Sequence, residues 1–260
     1  MAITLRSRRE IELMRQAGAV VAKVLSQLQK IAKPGVTTAY LDGAALEMTL
    51  AARAEALFKG VRNPQARMPF PGAICASVNE QVVHGIPSER VVLREGDILS
   101  VDFGVRLNGY CGDAAVTVPI GGISAENRRL LHTTQEVLQI AIDGIRPGLR
   151  WSEIARRMQR HAESAGFSVV RDFVGHGIGT KMHEDPKVPN FVSDELLADD
   201  ILLAEGMVLA VEPMINAGGY PVRTLGNGWT VVTRDGKCSA HFEHTLAVAE
   251  GGCAVLTREQ

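Results

Sequence analysis

The sequence predicts an α+β fold in which two similar halves surround a mixed, mainly antiparallel sheet. Three observations carry this reading. Amphipathic segments follow capping residues, β-prone runs meet across Asn108-Gly109 and again at Asp235-Gly236, and each half contributes helices and a hairpin with no low-complexity linker between them. Residues 1–260 are accordingly read as one domain.

Each element has a local cause. Ser7 and Glu10 form a capping-box pattern, and Ile11, Met14, Ala17, Val21, Leu25 and Leu28 follow at helical spacing until Pro34-Gly35. Thr37-Thr38 caps a second helix running to about Leu57, and the proline-rich stretch 59–72 reads as a loop. Ala73 to Val78 is a short strand. Asp97 to Leu107 and Tyr110 to Ile120 form a hairpin on the two-residue Asn108-Gly109 turn. Ser124 opens a helix to about Ile142, and Ser152 caps another through Ala165. Strands are expected at Ser168–Val174, Met207–Ala217, Trp229–Thr233 and Cys238–Ala249, the last two joined as a hairpin at Asp235-Gly236.

Composition excludes several function classes. A net charge of -1 offers no basic field for holding nucleic acid. The cluster Arg6, Arg8 and Arg9 is read as a solvated helical turn, with a nucleic-acid or ribosome contact as the alternative. No apolar run reaches membrane-helix or signal-peptide length. Cys75, Cys111, Cys238 and Cys253 form no C-x-x-C pair, so four reduced thiols in the cytoplasm are expected.

The chemistry-bearing residues gather in the β segments. With Leu107 opposite Tyr110, Asp102 faces Ala115, and Asp113 lies two positions along the same face. Aspartate is depleted in strands, so two on one face suggest a cation site; a face turned to water is the alternative. Glu212 lies in an apolar strand, and Glu243 shares a face with His241 and Thr245. Four carboxylates carry about -4, the charge two divalent cations neutralise. Such a donor set suits Mn, Fe(II), Co or Mg better than a structural zinc cage, and a two-metal site meets the needs of amide hydrolysis. In the glycine-rich stretch from Gly175 to Pro186, His176 and His183 are too far apart for H-E-x-x-H, and at least one is expected to bind metal. His84, before a Gly-Ile-Pro turn, reads locally as a surface histidine. No G-x-S-x-G elbow or cysteine-protease context competes.

With these motifs collected, the chain resembles type I methionine aminopeptidases of the pita-bread (creatinase/aminopeptidase) fold, from about Ser7 to Ala249. The resemblance rests on Ser77-Val78-Asn79-Glu80, His84-Gly85-Ile86-Pro87, the Asp102/Asp113 spacing, His176 to Pro186, Glu212-Pro213, Gly228-Trp229-Thr230 and Phe242-Glu243-His244-Thr245. It implies that Asp113 and Glu243 bridge two metals, Asp102 binds one, and His176 with Glu212 binds the other. The ions would be Co, Mn, Fe(II) or Zn. His183 would contact the scissile peptide, His84 would position substrate and protonate the leaving group, and Glu212 would move the proton of the attacking water. Cys75, His84 and Trp229 match positions of the methionine pocket. The implied substrates are N-termini of nascent proteins and peptides with a small second residue. The implied enzyme is a cytoplasmic monomer with no stable nucleic-acid or membrane partner. The chain itself opens Met1-Ala2, so it is expected to be processed to begin at Ala2.

Thr180 and Met182 depart from the arginine and phenylalanine usual in that family, Cys111 replaces a common histidine, and 59–72 is longer and lacks the usual tyrosines. Prolidases and aminopeptidase P share the implied fold and ligands and form the nearest rival. The start of the first helix near Ser7 and the Gly228-Trp229-Thr230 segment favour the methionine enzyme, and the 28 residues between His183 and Glu212 leave no room for a type II insert. A non-catalytic binding module of the same fold is the alternative from another class.

Overall fold

Ser7 caps α1 (Arg8–Ile31) as its sequence requires: its hydroxyl accepts from the Glu10 amide while the Glu10 carboxylate reaches back to the Ser7 amide. This computed structural model describes residues 3–259, so the expectation on Met1 and Ala2 lies outside the described residues. Thr37 caps α2 (Thr38–Ala51). That helix stops short of the predicted Leu57, because Arg53 enters the left-handed region (φ 55°) and β1 (Glu55–Ala56) pairs with Arg106 and Val105. No glycine or proline announces this end; a sheet edge waiting for a strand decides it.

β2 (Cys75–Val78) and the unpredicted β3 (Gln81–Val83) lead to the hairpin of β4 (Ile98–Leu107) and β5 (Tyr110–Pro119). Its register runs unbroken from Leu107↔Tyr110 through Asp102↔Ala115 to Ile98↔Pro119, as the Asn108-Gly109 turn predicts. Ser124 caps α3 (Ala125–Gly144). α4 (Trp151–Ser164) begins earlier than expected: Ser152 lies inside it, and the distant Asp200 carboxylate accepts from the Ser152 amide and hydroxyl.

The C-terminal half is more broken than its periodicity suggests. It comprises β6 (Ser168–Val169), β7 (Gly175–Gly177), β8 (Glu184–Val188), α5 (Asp194–Ala198), β9 (Val208–Val211), β10 (Met214–Asn216), β11 (Val222–Thr224), β12 (Val231–Thr233), β13 (Ser239–His241), β14 (Glu243–Ala249) and β15 (Gly252–Val255). The glycine-rich stretch from Gly175 reads as irregular from its glycines and proline. Instead β7 pairs with both β8 and β9, and its glycines serve close strand approach, since a Cβ at Gly175 or Gly177 would strike the Ala210 or Asp185 carbonyl. Asp235-Gly236 makes no hairpin between the expected partners. Both edges of β12 are taken by β11 and β3, so β13 pairs with β10 in another sheet.

The main sheet runs β1-β4-β5-β14-β9-β7-β8, with β2 on β4 and β15 on β14. One apolar core lies under α1, α2 and the β4–β5 hairpin, including Val21, Leu25, Leu41, Val101 and Phe103. A second, including Trp151, Ile154, Leu138, Leu209 and Leu246, lies under α3 and α4. The two halves meet where β5 pairs with β14 at Ala115↔Glu243 and Ala114↔His244. This is the α+β architecture expected, with paired helices over each half of a curled sheet.

Candidate metal centre

Pairing across the sheet aligns the candidate ligands in two neighbouring rows. In the first, Cys75 lies opposite Asp102, Asp102 opposite Ala115, and Ala115 beside Glu243. Val211↔His244 and Met214↔His241 share one register, which brings Glu212 opposite Glu243 at the end of that row. The second row, two residues along, holds Gly104↔Asp113, then Thr245↔Ala210 and Ala210↔His176. Small residues at Gly104, Ala115 and Ala210 alternate with the functional ones; a Cβ at Gly104 would come within 3.0 Å of Asp113 Oδ1. All five sequence-predicted ligands therefore share one face of one sheet.

Short distances bring four of the five together, and Asp102 lines the same cleft. His176 Nε2 is 3.6 Å from Glu212 Oε1 and 4.0 Å from Asp113 Oδ2, and single donor atoms of Asp113, His176 and Glu243 lie within 4.8 Å of one another. Thr245 anchors the centre: its hydroxyl accepts from the Asp113 amide (3.0 Å) and donates to the Asp113 carbonyl (2.8 Å). Asp113 and Glu243 are each 2% exposed, so their charge has almost no water to screen it.

The electrostatics follow. Burial, then repulsion from Asp113, holds Asp102 well above the carboxylate range. Burial pushes Asp113 up to about 7. Glu212 and Glu243 are raised by burial first and by the neighbouring carboxylates after it. Burial and the neighbouring His183 lower His84 and His176 to about 4, so both rings are neutral near pH 7 and free to offer a lone pair. Asp102 Oδ1, Asp113 Oδ1 and Glu243 Oε1 are buried without a hydrogen-bond partner, and among the described residues no lysine or arginine pairs with any of the four carboxylates. Orphaned oxygens crowded together with a neutral imidazole fit divalent cations of the Mn, Fe(II) or Co kind.

The centre floors a cleft of about 950 Å³. His84 projects into it from left-handed backbone (φ 58°), an unusual setting for a non-glycine residue. Its carbonyl accepts from the Thr230 hydroxyl, and its ring meets Phe173 and Trp229 edge-on at 5.6 and 6.4 Å. The local reading of His84 as a surface histidine is thus corrected: the turn faces inward. His183 stacks edge-on against His176 at 4.4 Å. Beside the centre, Phe58, Phe70, Cys75 and Trp229 form an apolar cluster, with Ile86 and Met182 packed on it. Phe70 meets Trp229 at 5.3 Å, while Met68 points to solvent and contributes only its carbonyl, to the Trp229 indole N–H. Arg6 is not part of a solvated turn. Its guanidinium pairs with Glu184 and Glu10 at the cleft edge, leaving Arg8 and Arg9 exposed. Sequence reasoning put His241 and Thr245 on the face of Glu243 but gave them no part; the alternation His241-x-Glu243-x-Thr245 was the available signal.

The model of metallopeptidase family M24 matches residues 12–250. A methionine aminopeptidase from Clostridium acetobutylicum is 48% identical over 255 residues, 98% of either chain. The crystal structure of the methionine aminopeptidase from Thermotoga maritima superposes with a TM-score of 0.93 at 41% identity, covering 99% of this chain and 100% of that one. The chain belongs to the methionine aminopeptidases of family M24. It is therefore a metal-dependent hydrolase, not a binding module. The Xaa-Pro dipeptidase from Bacillus anthracis shares the fold alone: its TM-score is 0.74 at 21% identity, and the match covers 98% of this chain but 62% of that one. Among the described residues no helix is long and apolar enough to cross a membrane, and all four cysteines are free.

Proposed function

We propose that this chain hydrolyses the N-terminal methionine from nascent proteins and peptides with a small second residue, using two divalent cations held by Asp102, Asp113, His176, Glu212 and Glu243. The observation that carries this reading is the convergence of four carboxylates, three of them with a buried partnerless oxygen, and a neutral imidazole beside an apolar recess in one cleft. As the family resemblance implies, Asp102 would hold one cation and His176 with Glu212 the other, while Asp113 and Glu243, which lie between them on the sheet, would serve both. When bound, the cations would polarise the scissile carbonyl and acidify the attacking water.

The remaining roles belong to the chain's own groups. Glu212, whose carboxyl is raised, accepts a proton from water and passes it on. His183 hydrogen-bonds the scissile peptide, and His84, neutral at rest, orients substrate and relays to the leaving amine the proton that Glu212 takes from the water. The recess of Phe58, Phe70, Cys75 and Trp229 takes the methionine side chain, whose polarizable thioether suits aromatic and sulfur neighbours. The enzyme is read as a cytoplasmic monomer. With Arg6 engaged at the cleft, a transient ribosome contact would fall to Arg8 and Arg9.

Assaying Met-Ala-Ser against Ala-Pro peptides, with Mn and with anaerobic Fe(II), tests the proposal. Release of methionine from the first alone supports it. Cleavage of the proline peptide alone, or of neither, overturns it.

A further inference from the structure

His241 is 1% exposed, and neither ring nitrogen has a hydrogen-bond partner. It lies two residues before Glu243, and its partner Met214 lies two residues after Glu212, so the imidazole shares their corner of the sheet. Its Nε2 is 3.9 Å from Glu212 Oε2 and 4.0 Å from Glu243 Oε2. Both glutamates line the cleft and His241 does not, so it stands behind them. Its backbone is clamped: the His241 amide donates to the Thr117 hydroxyl and the His241 carbonyl accepts from it, both at 2.8 Å. Ser100 lies 2.9 Å from the same hydroxyl.

We propose that His241 is a positioning residue of the metal centre, its Nε2–H holding Glu212 through Oε2 so that Oε1, 3.6 Å from His176 Nε2, is the oxygen offered to the cation. Glu243 Oε2 lies within reach of the same donor, so the imidazole also restrains Glu243. A small rotation of either carboxylate closes the gap to hydrogen-bond range. Partners behind a ligand tune metal affinity by fixing which lone pair points forward. The inference rests on the reading of Glu212 and Glu243 as ligands.

The test compares wild type, His241→Leu, which fills the space without a donor, and His241→Gln, whose amide keeps one. Each is stripped of metal and titrated with Co(II), read by calorimetry and by the visible d–d spectrum, with thermal unfolding of the metal-free proteins as the folding control. The expected result is about tenfold or weaker binding with an altered spectrum for His241→Leu, and recovery of most of the affinity in His241→Gln. Equal binding and spectra in all three overturn the role of His241. So does equal weakening in both variants, which would mark the imidazole as packing only. A wild type that binds no Co(II) overturns the ligand reading beneath it.

Discussion

The two halves of the sheet present their carboxylates by different means. In the N-terminal half, Asp102 and Asp113 ride an uninterrupted hairpin whose register is set by one two-residue turn. In the C-terminal half, Glu212 and Glu243 stand where two paired strands leave the nine-stranded sheet together for a three-stranded one, at Pro213 and Phe242. The first arrangement needs only alternation and a turn. The second needs a bend shared by two strands distant in sequence, supported from behind by Thr117 and His241. A flat continuation would have set His241 beside Glu243 on the same face; with the bend, Glu212 and Glu243 line the cleft and His241 lies behind them.

The largest effect should come from the bend. Glu243→Ala is expected to lower turnover by roughly a thousandfold, the equivalent of several kcal/mol of lost charge stabilisation, while circular dichroism and unfolding temperature stay near wild type. Near-normal turnover would dissolve the ligand assignment in that half.

Next comes the response to pH and metal, which depends on both halves being crowded at once. Without metal, the raised carboxylates, Asp113 at about 7, make the folded state bind more protons than the unfolded one above the ordinary carboxylate value. Stability is then lost as pH rises through that window. His84 and His176, lowered to about 4, work in the opposite sense, but only below the ordinary imidazole value of about 6.5. From about pH 7.5 to about pH 8.5, where ordinary imidazoles are deprotonated in both states, the carboxylates act alone among these groups, so the unfolding temperature of the metal-free protein should fall. Mn at a hundredfold excess over Kd should add about 2.7 kcal/mol and flatten the slope. A metal-free protein with no fall over this range would mean the carboxylates do not repel one another as their placement requires.

Phe70→Leu should have a smaller and more selective effect. Losing the edge-on contact with Trp229 is expected to raise KM for methionyl peptides about threefold to tenfold with kcat little changed, since such contacts contribute about 0.5–1.5 kcal/mol. An unchanged KM would remove Phe70 from the recess. Smallest is Gly109→Ala, where φ of 83° disfavours a side chain. Chemical denaturation should show a loss of about 1 kcal/mol with metal affinity intact, because the long pairing of β4 with β5 keeps the register without an ideal turn. A loss of metal binding here would show that the turn alone holds Asp102 and Asp113 in place.

How much of this was legible before any coordinates depended on how local the cause was. The caps at Ser7, Thr37 and Ser124 and the Asn108-Gly109 register were readable because each is decided within a few residues. The end of α2 was not, because the vacant edge of β4 lies far along the chain. The cap of α4 was misread at Ser152 because Asp200 supplies it from a distance. His84 looked like a surface residue since only Phe173, Trp229 and Thr230, all remote in sequence, turn it inward.

The amino-acid order alone settled the residue types able to hold cations, the face shared by Asp102 and Asp113, and the likeness to an established family, because alternation, turn chemistry and motif spacing act over short stretches. Folding in three dimensions settled the rest: the meeting of the four carboxylates with His176, the left-handed seat of His84, the engagement of Arg6 with Glu184, and the place of His241 behind the glutamates. Those depend on which strand edges are free to pair and on where two paired strands bend together, and neither is encoded in any single stretch of chain.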